Sequence, residues 1–346
     1  MIGFSWASPR TVSEAAASST TVAAAMAISP DAMASTQVAV AKAGGIDLLD
    51  LLKENLLAPS RVVSLAQIPG LDAIVELPAG GLRVGSMAKL ASLADHSVVR
   101  KRYLALADAL RNTASPQIRN MATLGGNLLQ RPRCWYLRAE QFRCLRKGGG
   151  HCFALAGENR YHAIFDNKIC AIVHPSTAAT ALVALGATVE LVNAEGGVRR
   201  VLLEDFFVAP ASDVQRENDL KAQEILTAIE LPAISPGTRM AHCKQSEKDA
   251  FDWPLADVAV VLDMSPEGRC RRASIVLGAA APVPHRAKAA ETVLSGRHID
   301  AAVATQAGRA AVEGATPLSQ NAYKLPLFEV LVRRSKYRPT PSIIIP

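Results

Sequence analysis

The chain has 346 residues, of which 49% are hydrophobic and 20% are charged, a composition that excludes disorder as a general description. Its 38 lysines and arginines against 31 acidic residues give a formal net charge of +7, but no basic stripe interleaved with aromatic residues predicts nucleic-acid binding. The sequence contains no run of 18 apolar residues, so it predicts no transmembrane segment. At roughly 100–200 residues per domain, the length predicts two or three domains.

The N-terminal segment is similar to a signal peptide only in its alanine and serine content. Arg10 is followed by Glu14, and no continuous apolar core precedes a cleavage site, so Ala15–Ala27 indicates an alanine-rich surface helix. By its own signals the chain is expected to be cytoplasmic, or periplasmic if a signal-bearing partner carries it across the membrane already folded.

In the first part of the chain, short apolar runs alternate with glycine breaks. A strand around Ile2 and Phe4 precedes the alanine-rich helix, which starts at Thr11, and Gly80-Gly81 predicts a turn. The other predicted elements are strands at Gln37–Ala41, Arg61–Leu65 and Leu82–Val84, and helices over Leu48–Leu52 and Val98–Leu110.

The second part of the chain predicts a hairpin, a further strand and then a separate domain. Ser176 is a good N-cap for a helix, and Gly196-Gly197 separates the two strands of the hairpin. The predicted elements are the helix Thr177–Leu185, strands Thr188–Val192, Val198–Leu202, Ile225–Leu231, Leu255–Asp263 and Ser274–Leu277, and helices Ala287–Leu294 and Ala301–Ala311. A boundary near residues 228–238 divides the chain into 1–232 and 233–346. The fold class is α+β, without regular βαβ alternation.

A diglycine lies between a predicted strand and a predicted helix at Gly44-Gly45. Glycine allows backbone N–H groups to approach an oxyanion, and the N-terminus of the helix adds partial positive charge. The arrangement suits a pyrophosphate, and a plain strand-to-helix turn is the alternative. The chain contains neither Gly-x-Gly-x-x-Gly nor a Walker A sequence, so a dinucleotide would not bind in a Rossmann manner.

A second glycine segment, residues 114–128, is denser in polar groups. Its hydroxyls, amides and backbone N–H groups are the kinds of group that hold phosphate and ribose oxygens, and a well hydrogen-bonded loop is the alternative. Together the two segments resemble the FAD-binding subunits of the xanthine dehydrogenase and aldehyde oxidase family of molybdenum hydroxylases. The resemblance is carried by Ala43-Gly44-Gly45 with Leu48-Leu49, Gln117-Ile118-Arg119-Asn120 with Thr123, Gly125-Gly126-Asn127-Leu128, Glu224-Ile225-Leu226, Phe251-Asp252-Trp253-Pro254 and Asn321-x-Tyr323-Lys324.

This resemblance, which covers nearly the full length, implies a two-lobed FAD-binding domain of the PCMH type and a smaller C-terminal α+β domain. The residues implied to contact FAD are Lys42, Ala43, Gly44, Gly45, Ile46, Asp47, Leu48, Ser115, Gln117, Asn120, Thr123, Gly125, Asn127, His174, Glu224, Ile225 and Trp253. Two positions depart from the family, which usually has a hydroxyl at Ile46 and an Asp at Thr177. No histidine or cysteine lies in the two glycine segments, so FAD is expected to be held non-covalently.

Four of the six cysteines, Cys134, Cys144, Cys152 and Cys170, lie in one arginine- and glycine-rich segment with the spacing C-x9-C-x7-C-x17-C. Such a set can ligate zinc or a 4Fe-4S cluster, and free thiols or disulfides are the alternatives. Within the family, the sequence most resembles the flavin subunit of three-subunit bacterial aldehyde oxidoreductases. That resemblance implies a 4Fe-4S cluster on these four cysteines, in a loop inserted at residues 131–171.

The side chains around the cysteines also carry expectations. The loop has too few periodic apolar residues to order itself, which predicts that metal binding and local folding are coupled. The cluster's negative charge would be offset by the basic residues Arg131, Arg133, Arg138, Arg143, Arg146 and Lys147, which could instead face a partner. His151 is a candidate neighbour of the cluster, although a surface or core histidine is the simpler interpretation.

The resemblance implies an electron-transferring subunit, an oxidoreductase component without catalytic residues of its own for the organic substrate. Its FAD would take electrons from a partner's 2Fe-2S centres and pass them to an external acceptor, while a molybdenum-cofactor subunit oxidises an aldehyde or N-heterocycle. The alternatives are a self-contained FAD oxidoreductase and a zinc-stapled assembly subunit without flavin. Phe251 and Trp253 are predicted to lie near the flavin ring or its partner-facing mouth, with core packing as the alternative.

Overall fold

The computed structural model describes residues 3–21, 38–248 and 251–335. Ile2, Gln37 and the part of the predicted alanine-rich helix after residue 21 lie outside the described residues. Within them, no helix is both long enough and apolar enough to cross a membrane.

The first lobe is built on a three-stranded parallel sheet with the order β1-β3-β2. Its strands are β1 (Ser5–Ala7), β2 (Ala39–Lys42) and β3 (Arg61–Ser64), and its helices are Val12–Ala17 and Ile46–Lys53. The hydroxyl of Thr11 accepts a hydrogen bond from the Glu14 N–H at 3.2 Å and caps the first helix where the sequence predicted its start. The second helix buries an apolar face against the sheet and thereby places the diglycine turn at the edge of the lobe.

The second lobe is built on a five-stranded antiparallel sheet with the order β4-β5-β8-β6-β7. Its strands are β4 (Ile74–Glu76), β5 (Leu82–Gly85), β6 (Thr188–Asn193), β7 (Val198–Leu202) and β8 (Glu224–Leu231). The predicted hairpin is confirmed, because β6 pairs with β7 and Gly196 adopts a φ of +81° in the turn between them.

Helices cover this second sheet. They span Leu90–Asp95, Ser97–Arg102, Leu104–Arg111, Pro116–Met121, Leu124–Leu128, Thr177–Ala184 and Leu203–Phe206. The prediction of one helix over Val98–Leu110 is wrong, because the chain leaves helical geometry at Tyr103 with φ −123° and ψ 53°. The ring of Tyr103 is fully buried and its hydroxyl donates to the Pro232 carbonyl at 2.8 Å, so a tertiary contact accompanies the break.

The C-terminal part of the chain forms a four-stranded antiparallel sheet with the order β12-β11-β10-β9. Its strands are β9 (Thr238–Ser246), β10 (Pro254–Met264), β11 (Cys270–Gly278) and β12 (His285–Arg286), and its helices are Lys288–Leu294, Ala301–Ala310 and Lys324–Arg334. The sequence did not predict β9, whose apolar residues are interrupted by charged ones. The helices Leu104–Arg111 and Thr177–Ala184 share one hydrophobic core with residues of both the five-stranded and the four-stranded sheet.

The cysteine segment between the lobes has its own short elements, a helix at Trp135–Arg138 and 3-10 turns at Leu145–Lys147 and Phe153–Leu155. Besides the cysteines, the segment contains three aromatic rings that form a small core. The ring of Tyr136 lies 5.0 Å from that of Phe142 and 5.9 Å from that of Phe153. These rings do not follow a helix or strand period, so periodicity alone did not reveal them.

The end of the cysteine segment is clamped by the C-terminal domain. Asn159 and Gln320 exchange two hydrogen bonds of 3.0 Å, each from a backbone N–H to the other side-chain oxygen. The amide of Asn321 donates to the carbonyls of His162 and Ala163, and the buried ammonium of Lys324 donates to that of Tyr161 at 3.2 Å. The Asn321-x-Tyr323-Lys324 motif is therefore used to hold this segment.

Candidate active site

A cavity of about 420 Å³ lies where the two lobes meet the C-terminal domain. The first lobe contributes the diglycine turn, and the second lobe contributes residues of the second glycine segment and of the loop before β8. The C-terminal domain contributes Lys244 and Phe251–Pro254. A pocket formed by several elements of the chain is a common place for a cofactor.

One wall of the cavity is the N-terminus of the helix Ile46–Lys53. Gly45 precedes this helix with a φ of +86°, and no side chain caps the helix. The first backbone N–H groups of a helix have no partner within it, and together with the helix dipole they attract anions. This wall therefore suits a phosphate group.

The opposite wall is built by the second glycine segment, which forms two short helices rather than a loop. The hydroxyl of Ser115 accepts from the Ile118 N–H and that of Thr123 accepts from the Gly126 N–H, so both serve as N-caps. The hydroxyl of Ser176 donates to the side-chain oxygen of Asn127 at 2.6 Å and fixes that amide at the cavity wall.

Glycines let these walls come close together. A Cβ on Gly44 would lie 2.3 Å from the Met121 carbonyl oxygen, and a Cβ on Gly125 would lie 2.8 Å from the Cβ of Ser86. The hydroxyl of Ser86 lines the cavity and is buried without a hydrogen-bond partner. A buried hydroxyl in this state is expected to have a polar partner, so this wall also fits a polar ligand.

The cavity brings together most of the residues that the sequence singled out. Those that line it are Ala43, Gly44, Gly45, Ile46, Asp47, Leu48, Thr123, Gly125, Asn127, Glu224, Ile225 and Trp253. Those that do not are Lys42, Ser115, Gln117, Asn120 and His174. The ammonium of Lys42 lies 5.6 Å from the centroid of the Trp6 ring, and Gln117 and Asn120 are exposed away from the cavity.

His174 lies behind the cavity rather than in its wall. Its Nδ1 accepts a hydrogen bond from the Ser176 N–H at 3.3 Å, and its ring meets that of Phe207 edge-on at 4.4 Å. Complete burial lowers the pKa of His174 to about 3, so the ring is neutral and able to accept this bond. His174 therefore orders the turn that presents Pro175 and Thr177 to the cavity.

Sequence reasoning missed several cavity residues, of which Lys244 is the most polar. Its ammonium donates to the Asn112 carbonyl at 2.9 Å, and burial lowers its pKa. Residues Ser19–Thr21 and the loop before β8 also line the cavity. Lys244 lies only seven positions before the recognised Phe-Asp-Trp-Pro run, which is the signal that could have drawn attention to it.

Phe251 and Trp253 lie at the rim of this cavity, with exposed fractions of 62% and 49%. The alternative of core packing is therefore wrong for both. The guanidinium of Arg133 lies 4.9 Å from the centroid of the Trp253 ring, a cation–π contact that connects the cysteine segment to the C-terminal domain beside the cavity.

The four clustered cysteines are close enough to interact. The thiol of Cys170 donates a hydrogen bond to the sulfur of Cys152, which lowers the pKa of Cys152 to about 6 and raises that of Cys170. Burial raises the pKa of Cys134 to about 12, and the charges of Cys170 and Cys144 add to that rise. All six cysteines of the chain are free thiols in the structure.

Two other side chains contact these sulfurs. Nε2 of His162 lies 3.2 Å from Sγ of Cys134, and Nε of Arg146 donates to Sγ of Cys170 at 3.4 Å. The candidate histidine of the sequence, His151, is exposed and lies against the Phe153 ring instead. Across residues 3–21, 38–248 and 251–335, no group of three or more His, Cys, Asp or Glu side chains is arranged to hold a metal ion.

Most of the arginines in this segment are paired with acidic side chains. The carboxylate of Asp47 accepts from Arg138 at 2.7 Å and from the Arg131 backbone N–H at 2.8 Å, and it pairs with Arg133 at 2.9 Å. Asp50 pairs with Arg133 and Arg138. The first turn of the helix at the cavity is thereby joined to the cysteine segment.

Comparison with known proteins identifies the family. Residues 2–234 match the model of the FAD binding domain in molybdopterin dehydrogenase, and residues 241–337 match that of the CO dehydrogenase flavoprotein C-terminal domain. The chain belongs to the FAD-binding subunits of the xanthine dehydrogenase and aldehyde oxidoreductase family. The expected family, the mixed α+β fold and FAD binding are therefore confirmed.

Individual relatives agree with this assignment. The FAD-binding subunit is 37% identical over 255 residues to the aldehyde oxidoreductase FAD-binding subunit PaoB of Escherichia coli (strain K12), covering 73% of this chain and 78% of PaoB. A chain of quinoline 2-oxidoreductase from Pseudomonas putida 86 is 26% identical with a TM-score of 0.69, covering 96% of this chain and 95% of the other. CO dehydrogenase from Oligotropha carboxidovorans is similar in fold, with 24% identity, a TM-score of 0.71 and coverage of 98% and 99%.

The rim position of Trp253 leads to a prediction for this FAD-binding subunit. We expect Trp253→Ala to shift the visible absorbance of bound FAD, because removal of the indole opens this side of the cavity to water. The matched control is Trp6→Ala, which removes another exposed indole that does not line the cavity. Identical flavin spectra for the two variants and the wild type would contradict a position of Trp253 near the flavin.

Proposed function

We propose that the chain is the electron-transferring subunit of a multi-subunit molybdenum hydroxylase. In this proposal a partner subunit with molybdenum cofactor oxidises an aldehyde or N-heterocycle, and 2Fe-2S centres of a second partner deliver the electrons to this subunit for an external acceptor. Similarity to the FAD-binding subunit of an aldehyde oxidoreductase supports it. The structural observation that carries the proposal is the cavity between both domains, with an uncapped helix N-terminus at one wall and exposed aromatic rings at its rim.

Different residues of the cavity would hold different parts of the cofactor. The backbone N–H groups after Gly45 are suited to the pyrophosphate, and Ser86 offers a further hydroxyl. Asn127, held by Ser176, offers its amide, while the rim residues Phe251 and Trp253 restrict solvent. FAD supplies the redox chemistry when bound, and the protein positions it and shields it from water.

We also propose that Cys134, Cys144, Cys152 and Cys170 hold one 4Fe-4S cluster. The four thiols interact with one another, they come from one segment that also contains a small aromatic core, and Arg146 donates a hydrogen bond to one sulfur. Four thiolates of a cluster bind different irons and need not converge on one point, whereas a single metal ion requires convergence.

One experiment tests the function and its alternatives. The complex is purified anaerobically with its partners, and its absorbance is recorded before and after addition of an aldehyde or N-heterocycle. We expect flavin bands with a broad brown shoulder, and bleaching of the flavin by substrate only when the partner subunits are present. Bleaching of the isolated chain by substrate would indicate a self-contained oxidoreductase. A colourless protein that contains zinc would indicate an assembly subunit.

A further inference from the structure

Three charged side chains are buried together between the FAD cavity and the cysteines. Arg131, Arg146 and Glu217 are exposed by only 2%, 1% and 6%. One carboxylate oxygen of Glu217 accepts a hydrogen bond from Arg146 at 2.5 Å and lies 3.2 Å from Nη2 of Arg131. Since two guanidinium groups share one carboxylate, this group carries a net positive charge in the interior.

This buried group reaches both candidate redox sites. Arg131 and Glu217 line the cavity, and Nε of Arg146 donates to Sγ of Cys170 at 3.4 Å. Arg216, the neighbour of Glu217 in the chain, also lines the cavity, and its carbonyl accepts from Nη1 of Arg146 at 3.3 Å. The three side chains thus form a continuous bridge from the wall of the cavity to one of the four sulfurs.

The bridge has more donors than the protein satisfies. Nε of Arg131 and Nη2 of Arg146 are buried without a hydrogen-bond acceptor, and Nη2 of Arg131 has only its 3.2 Å ion pair with Glu217. A buried N–H without an acceptor destabilises a fold, and an uncompensated buried charge does so more strongly. Buried donors and positive charge at the two ends of the bridge would be compensated by negatively charged groups there. At the cavity these are the phosphates or the ring of FAD, and at the cysteines the group is a thiolate-ligated cluster.

We propose that the Arg131–Glu217–Arg146 bridge stabilises the reduced states of FAD and of the cysteine centre, and so raises both reduction potentials. This inference rests on the proposed function. Each electron that a centre gains adds one negative charge, and a nearby positive charge in a low-dielectric interior favours that gain. Arginine keeps its charge at all relevant pH values, so the effect is permanent rather than switched.

Redox titration of the anaerobically purified complex tests the bridge, with cluster reduction followed by electron paramagnetic resonance and flavin reduction by visible absorbance. Arg146→Gln removes a positive charge at the cysteines. It is expected to lower the reduction potential of the cluster by about 59 mV, which corresponds to a tenfold change in the one-electron equilibrium constant. Glu217→Gln removes the negative charge and is expected to shift both potentials upwards. Arg131→Gln is expected to lower the flavin potential more than the cluster potential.

The opposite signs separate an electrostatic role from a structural one, because loosened packing would shift both centres without regard to the charge removed. Arg146→Lys keeps the charge and is expected to restore most of the cluster potential, while the exposed Arg143→Gln in the same segment is the control and should change neither potential. If the Arg146→Gln variant loses its iron, the inference is tested by the two other variants. Glu217→Gln should still raise the potentials, and Arg131→Gln should still lower the flavin potential.

Two results would overturn the inference. Unchanged potentials in variants that retain iron and FAD would remove the electrostatic role, and so would shifts of the same sign for Arg146→Gln and Glu217→Gln. A wild-type complex with FAD but no iron is recognised before any variant is measured. That outcome contradicts the proposed cluster itself and, with it, the cysteine end of the bridge.

Discussion

Gly45→Val is expected to abolish retention of FAD while the chain still folds. Gly45 has a φ of +86°, a region that a β-branched residue strongly disfavours, so valine would pull the start of the helix Ile46–Lys53 out of position. Its Cβ would also lie 2.8 Å from Cε of Lys42, which must move. Because the N–H groups at this helix N-terminus form one wall of the cavity, the site for the phosphates is lost.

The measurement is the ratio of FAD to protein after purification, taken from the absorbance of flavin released by heat. Gly196→Val is the matched control, because Gly196 has a φ of +81° in the β6–β7 turn and its Cβ would meet no atom within 4 Å. It carries similar backbone strain far from the cavity and should keep its FAD. A folded Gly45→Val protein with stoichiometric FAD would contradict the expectation.

Cys144→Ser is expected to remove the cluster and to loosen residues 131–171, while FAD stays bound. Cys144 is buried, and its carbonyl accepts hydrogen bonds of 2.9 Å from the N–H groups of Lys147 and Gly149, so it lies in a tight turn of the segment. A cluster with three thiolates is expected to lose iron, and about four irons per chain should disappear together with labile sulfide.

Iron and sulfide analysis of the anaerobically purified complex measures this loss, and limited proteolysis measures the loosening. Cys243→Ser is the control, because Cys243 lies in β9, outside the cysteine segment. If the wild-type protein contains no iron, or contains zinc instead, the proposed cluster is contradicted. The chain is then a flavin subunit whose cysteine segment is held without a cluster. Iron retained in full by Cys144→Ser would remove Cys144 from the ligand set.

Local signals in the sequence predicted local structure well. The Gly196-Gly197 turn and its flanking apolar residues suffice for the β6–β7 hairpin, and Ser176 caps its helix through the Ala179 N–H at 3.0 Å. The glycine segments predicted the cavity for the same reason, since each wall is formed by residues adjacent in the chain. The geometry of these walls depends on backbone conformations that glycine allows, so the glycines of the motif indicate it.

Features that depend on distant partners were beyond this reasoning. The break at Tyr103 accompanies a hydrogen bond to Pro232, and the pairing of Arg131 and Arg146 with Glu217 joins two segments far apart in the sequence. The family resemblance implied that Ser115 and Thr123 contact the cofactor, and the fold uses their hydroxyls as helix caps. A residue type indicates what a side chain is able to do, whereas the partner it finds is decided by tertiary packing.

The clamp on residues 159–163 links the order of synthesis to the order of assembly. All its donors and acceptors on the C-terminal side lie between residues 319 and 324, near the end of the described chain. A nascent chain that stops before residue 319 lacks this clamp, although Asp47, Asp50 and Glu217 can already pair with arginines of the cysteine segment. Both glycine segments emerge from the ribosome early, but the cysteine segment gains the contacts of this clamp only after residues 319–324 have been synthesised.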